Sequence, residues 1–250
     1  VKNLPLLRLA REHHAPETDQ VLAQLFSGVF GAPDHEARTL DLLRRGACDG
    51  VASAMWLLGE TLLDDGKEEV TAEGVEWLER AAKMGVGMAA MRLAIFYGQD
   101  SLQHFDEARQ LHWTFRAAEM GVPLAAYQIG LAFEDGEIGD IVDYSSAVHW
   151  YEVAAGYGYP LALQRLAYAF RDGELGLVPD RARADELERR AAEFSKLRQR
   201  AELEDWLLLA KAGDRDTQKW LSLAYREGFG GLAADLEQAK YWEERADSTG

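Results

Sequence analysis

Apolar residues along this chain recur at helical spacing, three and four residues apart, and not at the two-residue period of strands. The stretches "AAYQIGLAF" (Ala125 to Phe133) and "ALQRLAYAF" (Ala162 to Phe170) show the pattern. Segments rich in glycine and acids, "EDGEIGDIVD", "RDGELGLVPD" and "EGFGGLAAD", punctuate the helical runs and read as turns. A second helical run then begins behind an aspartate, as in "DYSSAVHWYEVAA" and "DLEQAKYWEERA". A carboxylate there accepts from the unpaired amides of the first turn and favours the positive helix end. The predicted unit is helix, turn, helix.

The unit repeats. "AAKMGVGMAAMRLA", from Ala81, and "AAEMGVPLAAYQIG", from Ala117, are near copies 36 residues apart. Gly50, Gly85, Gly121 and Gly158 are spaced by 35, 36 and 37 residues, and nine residues after each stands a small one: Gly59, Ala94, Gly130, Ala167. After an insertion, Gly213 and Ser222 restore the interval. Eight residues before each closing position is a large apolar side chain: Leu42, Trp77, Trp113, Trp150, Leu187, Trp242. Seven residues before that, Asp106, Asp143, Asp180 and Asp235 mark helix starts. The glycines suit the left-handed residue that ends a helix, and the small residues let two helices cross closely. Leu58, Leu93, Ile129, Leu166 and Leu221, with Leu62, Tyr97, Phe133, Phe170 and Tyr225 four residues on, share a face and are predicted core.

A period in the mid-thirties signals a solenoid. The run "AAYQIGLAFEDG…D…AVHWYEVAAGYGYPLA" resembles the Sel-one-like repeat, a relative of the tetratricopeptide repeat, over roughly residues 36 to 248 in about five units. The resemblance implies an all-α, right-handed α-solenoid of helix-turn-helix repeats. It further implies a non-catalytic scaffold or adaptor, with some bacterial relatives serving as immunity proteins against secreted toxins. Within one solenoid domain spanning 1–250, residues 1–34 are expected to form an N-terminal helical cap, 35–195 the repeats, 196–213 an inserted helix and 214–250 the last repeat. "SKLRQRAELEDWLLLAKAG" leaves two alternatives open: one long helix from about Arg181 to Ala212, or a separate extra helix.

In such stacked pairs the first helix lines the concave surface. Counting from the small crossing residue, the resemblance to tetratricopeptide units places positions −3, +1 and +4 on the inner face. The expected contacts are Trp56, Met91, Tyr127 and Gln164, then Glu60, Ile95, Leu131 and Tyr168, then Glu134 and Arg171. Residue types scatter there while packing positions stay uniform. That scatter suits a surface meeting a partner, and Trp, Tyr and Met are residues that anchor interfaces.

Charge narrows the partner. The chain has 27 Lys and Arg against 43 Asp and Glu, a formal net charge of −16, which argues against a binder of nucleic-acid backbone and favours a protein or peptide partner, basic if charge steers it. The sharper alternative is an immunity protein neutralising a basic secreted toxin; an enzyme with an acidic pocket is the remote one. No catalytic constellation, phosphate loop or zinc motif is recognisable, so no catalytic residue, metal or cofactor is expected. Adjacent His13 and His14 lack companion ligands, and "EDGEIGDIVD" lacks calcium-loop spacing. Cys48 is the single cysteine and forms no internal disulfide, unlike exported relatives that staple each unit. No apolar run reaches membrane-spanning length and no signal peptide is visible, so a cytoplasmic location is expected, or a periplasmic one if a leader has been removed.

Overall fold

The computed structural model describes residues 35–64, 68–99, 104–211 and 213–248. The expected cap at 1–34, with His13 and His14, lies outside them. All regular structure among the described residues is helical: α1 (His35–Cys48), α2 (Ala52–Asp64), α3 (Glu68–Lys83), α4 (Gly87–Tyr97), α5 (Glu107–Glu119), α6 (Pro123–Glu134), α7 (Tyr144–Gly156), α8 (Pro160–Asp172), α9 (Arg181–Lys211), α10 (Arg215–Glu227) and α11 (Leu236–Ser248). Hairpins pack as α2 on α3, α4 on α5, α6 on α7 and α10 on α11, and each of α3, α5 and α7 also packs on the helix that follows it.

The anticipated signals appear where the repeat places them. Gly50, Gly85, Gly121 and Gly158 have φ of 87, 93, 83 and 77°, the left-handed region that a side chain resists. Asp106, Asp143 and Asp180 each accept from the backbone N–H three residues on, at 3.0 Å, and Asp235 accepts from Gln238 at 3.1 Å. Asp214, which the repeat register does not flag, caps a first helix in the same way through Thr217 N–H at 2.8 Å. Asp214→Ala should destabilise the fold by about 1 kcal/mol, measured as a lower urea midpoint.

The described residues divide into two compact units, one within 47–195 and the other made of 35–46 with those of 196–248. In 47–195 the crossings are tight. A Cβ on Gly59 would stand 2.6 Å from Leu78 Cγ and 2.9 Å from the Gly74 carbonyl oxygen. One on Gly130 would stand 2.6 Å from the Tyr151 ring. Leu58, Leu93, Ile129 and Leu166 are fully buried, as their register requires. In the other unit Ala210, Leu221 and Trp242 form the core. Trp206 stacks on Trp220 beside it at 4.3 Å, and Gln218 Nε2 donates to the buried Ala210 carbonyl at 2.8 Å.

Of the two readings of the insertion, the structure has the long helix, α9, which runs unbroken to Lys211. Ser195 stands where the other repeats place their closing glycine. With no left-handed stop, and with "KLRQRAELE" rich in helix formers behind it, the helix continues. Residues 192–201 are exposed without exception, and Arg198 pairs with Glu202 one turn on at 3.1 Å.

Candidate partner-binding face

Three first helices of the 47–195 unit, α4, α6 and α8, present the candidate face, and the structure fixes which of their positions reach solvent. The +1 row does: Ile95 is 43% and Tyr168 52% exposed, with Leu131 half-buried between them. Glu60, in the same row on α2, is half-buried. The −3 row grades along the chain, from Trp56 (1%) and Met91 (3%) through half-buried Tyr127 to exposed Gln164. The expectation of an exposed stripe therefore fails at Trp56 and Met91. Both belong to helices, "ASAMWLLGETLLD" and "GMAAMRLAIFY", that are apolar on nearly every side, and such helices are buried all round. Glu134 and Arg171 in the +4 row are half-buried.

Three rows outside the expected set, −6, −2 and +5, complete the line. Six residues before the crossing stand Leu124 (38%) and Leu161 (48%), with half-buried Met88 in the same place on α4. Five residues after it stand Gln99, Asp135 and Asp172, all exposed. Positions −6, −2, +1 and +5 are successive steps of four, three and four residues, one continuous stripe on a helix. The signal was present in the sequence as the apolar residue that recurs just inside α4, α6 and α8.

The −2 position carries Arg92 on α4 and Arg165 on α8, and each reaches back to an acid on the preceding first helix. Arg92 Nε lies 2.9 Å from Glu60 Oε2, and its Nη2 lies 2.9 Å from Asp64. Arg165 donates from Nε and Nη2 to Glu134, the shorter bond being 2.5 Å, and from Nη1 to Glu174 at 2.6 Å. Tyr151 completes the second cluster, its hydroxyl donating to Glu134 Oε2 at 2.5 Å. Tyr127 packs against Tyr151 and Tyr159, with ring centroids 5.5 and 5.3 Å apart. Glu60 and Glu134 are among the expected contacts; their arginines are not, and they lie 32 and 31 residues further along the chain. Arg171 is paired as well, with Glu188 at 2.7 Å.

The two clusters differ electrostatically. Burial raises the Glu60 carboxyl above its usual range, and the single Arg92 contact and the long Trp56 bond do not offset it. Burial also acts on Glu134, but the Arg165 and Tyr151 hydrogen bonds outweigh it and hold the group below its usual value. Burial, followed by the bond to Glu134, pushes the Tyr151 phenol far up. Glu134 is thus a charged brace between α6 and α8. Acidity is also uneven along the chain: residues 47–195 hold 26 Asp and Glu against 12 Lys and Arg, and the remaining residues hold 17 against 15.

Among the described residues no group of three or more His, Cys, Asp or Glu is arranged to hold a metal ion. No described helix is long and apolar enough to cross a membrane. Cys48 is a free, exposed thiol.

Hairpins of about 36 residues that stop on left-handed glycines, restart on aspartate caps and cross at Gly or Ala define an all-α solenoid of the tetratricopeptide-like kind. The Sel1 repeat model matches residues 52–86, 87–122, 123–156, 160–193 and 216–246, and the chain belongs to the Sel1 repeat family. Proteins of this family generally mediate protein–protein interaction on a non-catalytic scaffold. Among solved structures, a Sel1 repeat protein from Oxalobacter formigenes is similar, with TM-score 0.54 and 24% identity over 93% of this chain and 85% of that one. A protective antigen of uropathogenic Escherichia coli with an SLR fold has TM-score 0.57 and 23% identity, covering 98% of this chain and 56% of its own. An immunity protein from Pseudomonas aeruginosa has TM-score 0.43 and 17% identity, covering 96% of this chain and 85% of its own. Comparison with curated protein sequences finds no match.

Proposed function

We propose that the chain is a non-catalytic scaffold or adaptor that binds a protein or peptide partner along the exposed stripe of α4, α6 and α8. The observation that carries this reading is the row of large apolar side chains left in solvent there: Leu124, Leu161, Ile95 and Tyr168, each more than a third exposed. Neighbouring positions on the same helices are buried to the last few per cent, so the exposure is not a general property of these helices. Gln128 in the stripe and Gln164 beside it stand exposed and supply both donors and acceptors to a passing backbone. The polar candidates Glu60, Glu134 and Arg171 are held in internal pairs and shape the face rather than anchor the partner.

The test is a pull-down from the source organism with the wild-type chain and with Tyr168→Ala/Leu161→Ala. Both side chains are exposed, so folding should be unchanged, while affinity for the retained partner should fall about tenfold or more. A partner held equally by both proteins would overturn the assignment of the face.

A second reading, an immunity protein that neutralises a basic secreted toxin, is favoured by the excess of 14 acidic side chains in residues 47–195. Its mark would be an association rate that falls steeply with added salt.

A further inference from the structure

Trp150, one of the tryptophans that recur in the second helices, packs against a ring of the preceding hairpin. Where α7 meets α5 and α6, three rings share one slot: Phe115 lies edge-on to Trp150 at 5.6 Å and to Phe133 at 6.5 Å. Thirty-seven residues further along, the same three positions read Glu152, Phe170 and Leu187. One hairpin earlier they read Glu79, Tyr97 and Trp113, so an acid in the first position is shared and the absent indole is what sets the Leu187 slot apart. There the structure leaves a solvent-open groove of about 210 Å³, lined by the apolar Leu166, Phe170 and Leu187 and by Glu152, Arg183 and Arg190.

The rim is organised for a ring. Arg183 lies 4.3 Å from the centroid of the Phe170 ring, with Nη2 held 3.2 Å from Glu152 Oε1. Arg190 donates to the Ala155 carbonyl near the end of α7 at 3.3 Å. A guanidinium gains from a second aromatic face and gains nothing comparable from an aliphatic group. An indole N–H entering here meets the Glu152 carboxylate, its natural acceptor. We propose that this groove is an acceptor site for an aromatic side chain, an indole first of all, presented by a partner protein in place of the tryptophan the fourth repeat lacks. Leu166 and Phe170 lie on the opposite side of α8 from Tyr168, so the site stands or falls independently of the stripe.

The experiment titrates the full chain with N-acetyl-L-tryptophanamide and, separately, with N-acetyl-L-leucinamide, following backbone amide NMR signals of Ala155, Gly156 and Leu187. Saturable shifts are expected with the indole, at an affinity at least fivefold above that for the leucine analogue. Two variants close the slot. Leu187→Trp restores the chain's own ring, and Gly156→Glu introduces the residue that Glu119 supplies at the equivalent position one repeat earlier. A Cβ on Gly156 meets nothing within 4 Å, so the second variant keeps the test decisive if the first distorts the fold. The indole response should fall at least fivefold in each folded variant. No saturable shift, an equal response to the leucine analogue, or an unchanged response in the filled variants would overturn the site.

Discussion

Arg165→Met is expected to lower the unfolding free energy by about 2–4 kcal/mol, the larger of two stability effects the architecture predicts. Removing one partner of a fully buried pair costs roughly 3–5 kcal/mol because the other charge is left without compensation. Here the Arg165 and Glu134 side chains keep 20% and 19% of their surface in solvent, which tempers that figure without removing it. Tyr151 would still donate to Glu134, but the bidentate fork that ties α8 to α6 would be gone. The loss has a definite pH signature. The folded-state value of Glu134 lies below its ordinary 4.5, so the stabilisation is fully present above that pH and is lost as pH falls through the lowered value. Urea unfolding across acid pH should therefore show wild type and Arg165→Met converging as Glu134 becomes protonated in both. A gap that stays constant down to full protonation would mean the arginine acts through packing alone.

Gly130→Ala should cost about 1–3 kcal/mol, although alanine is the better helix former by roughly 0.5–1 kcal/mol. The new methyl would stand 2.6 Å from two atoms of the Tyr151 ring. That ring has nowhere to go: it is fully buried, its hydroxyl is fixed on Glu134, and Tyr127 packs on its flank. Gly156→Ala is the control, since its methyl meets nothing within 4 Å. Denaturant midpoints should drop clearly for the first variant and stay near wild type for the second. Equal midpoints would show that the crossing can open.

The helical hairpins were legible because their signals are local and repeated. A glycine that must adopt a left-handed conformation and an aspartate that must reach an amide three residues on both act within one turn, and the period multiplies them. Of the expected positions, Ile95 and Tyr168 in the +1 row and Gln164 in the −3 row stand in solvent. Rows −3 and +4 came from the geometry of a related repeat, and in α2 and α4 the apolar residues run around the whole helix, so periodicity carries no phase to correct it. Leu124 and Leu161, on α6 and α8, fall in the −6 row, which the borrowed register does not include. The braces Arg92–Glu60 and Arg165–Glu134 were illegible for a different one: each joins separate repeats, and only the shared −2 register of the two arginines hints at it. The groove beside Leu187 hides in a substitution that hydrophobic pattern alone treats as neutral, since Trp and Leu are both large and apolar.

The braces also bear on how such a chain can evolve. Repeat proteins grow by copying a unit, and the shared glycine stops and aspartate caps would accept a copied unit almost anywhere. The contacts between α6 and α8 would not. A rearranged chain that set α8 directly after α4 would bring Arg165 against Ile95 and Gly98, the +1 and +4 residues there, with no acid at either place to receive it. Glu134 would lose its cation in the same event. Neighbouring units have become keyed to each other, so the order of the repeats is inherited information that their common pattern does not record.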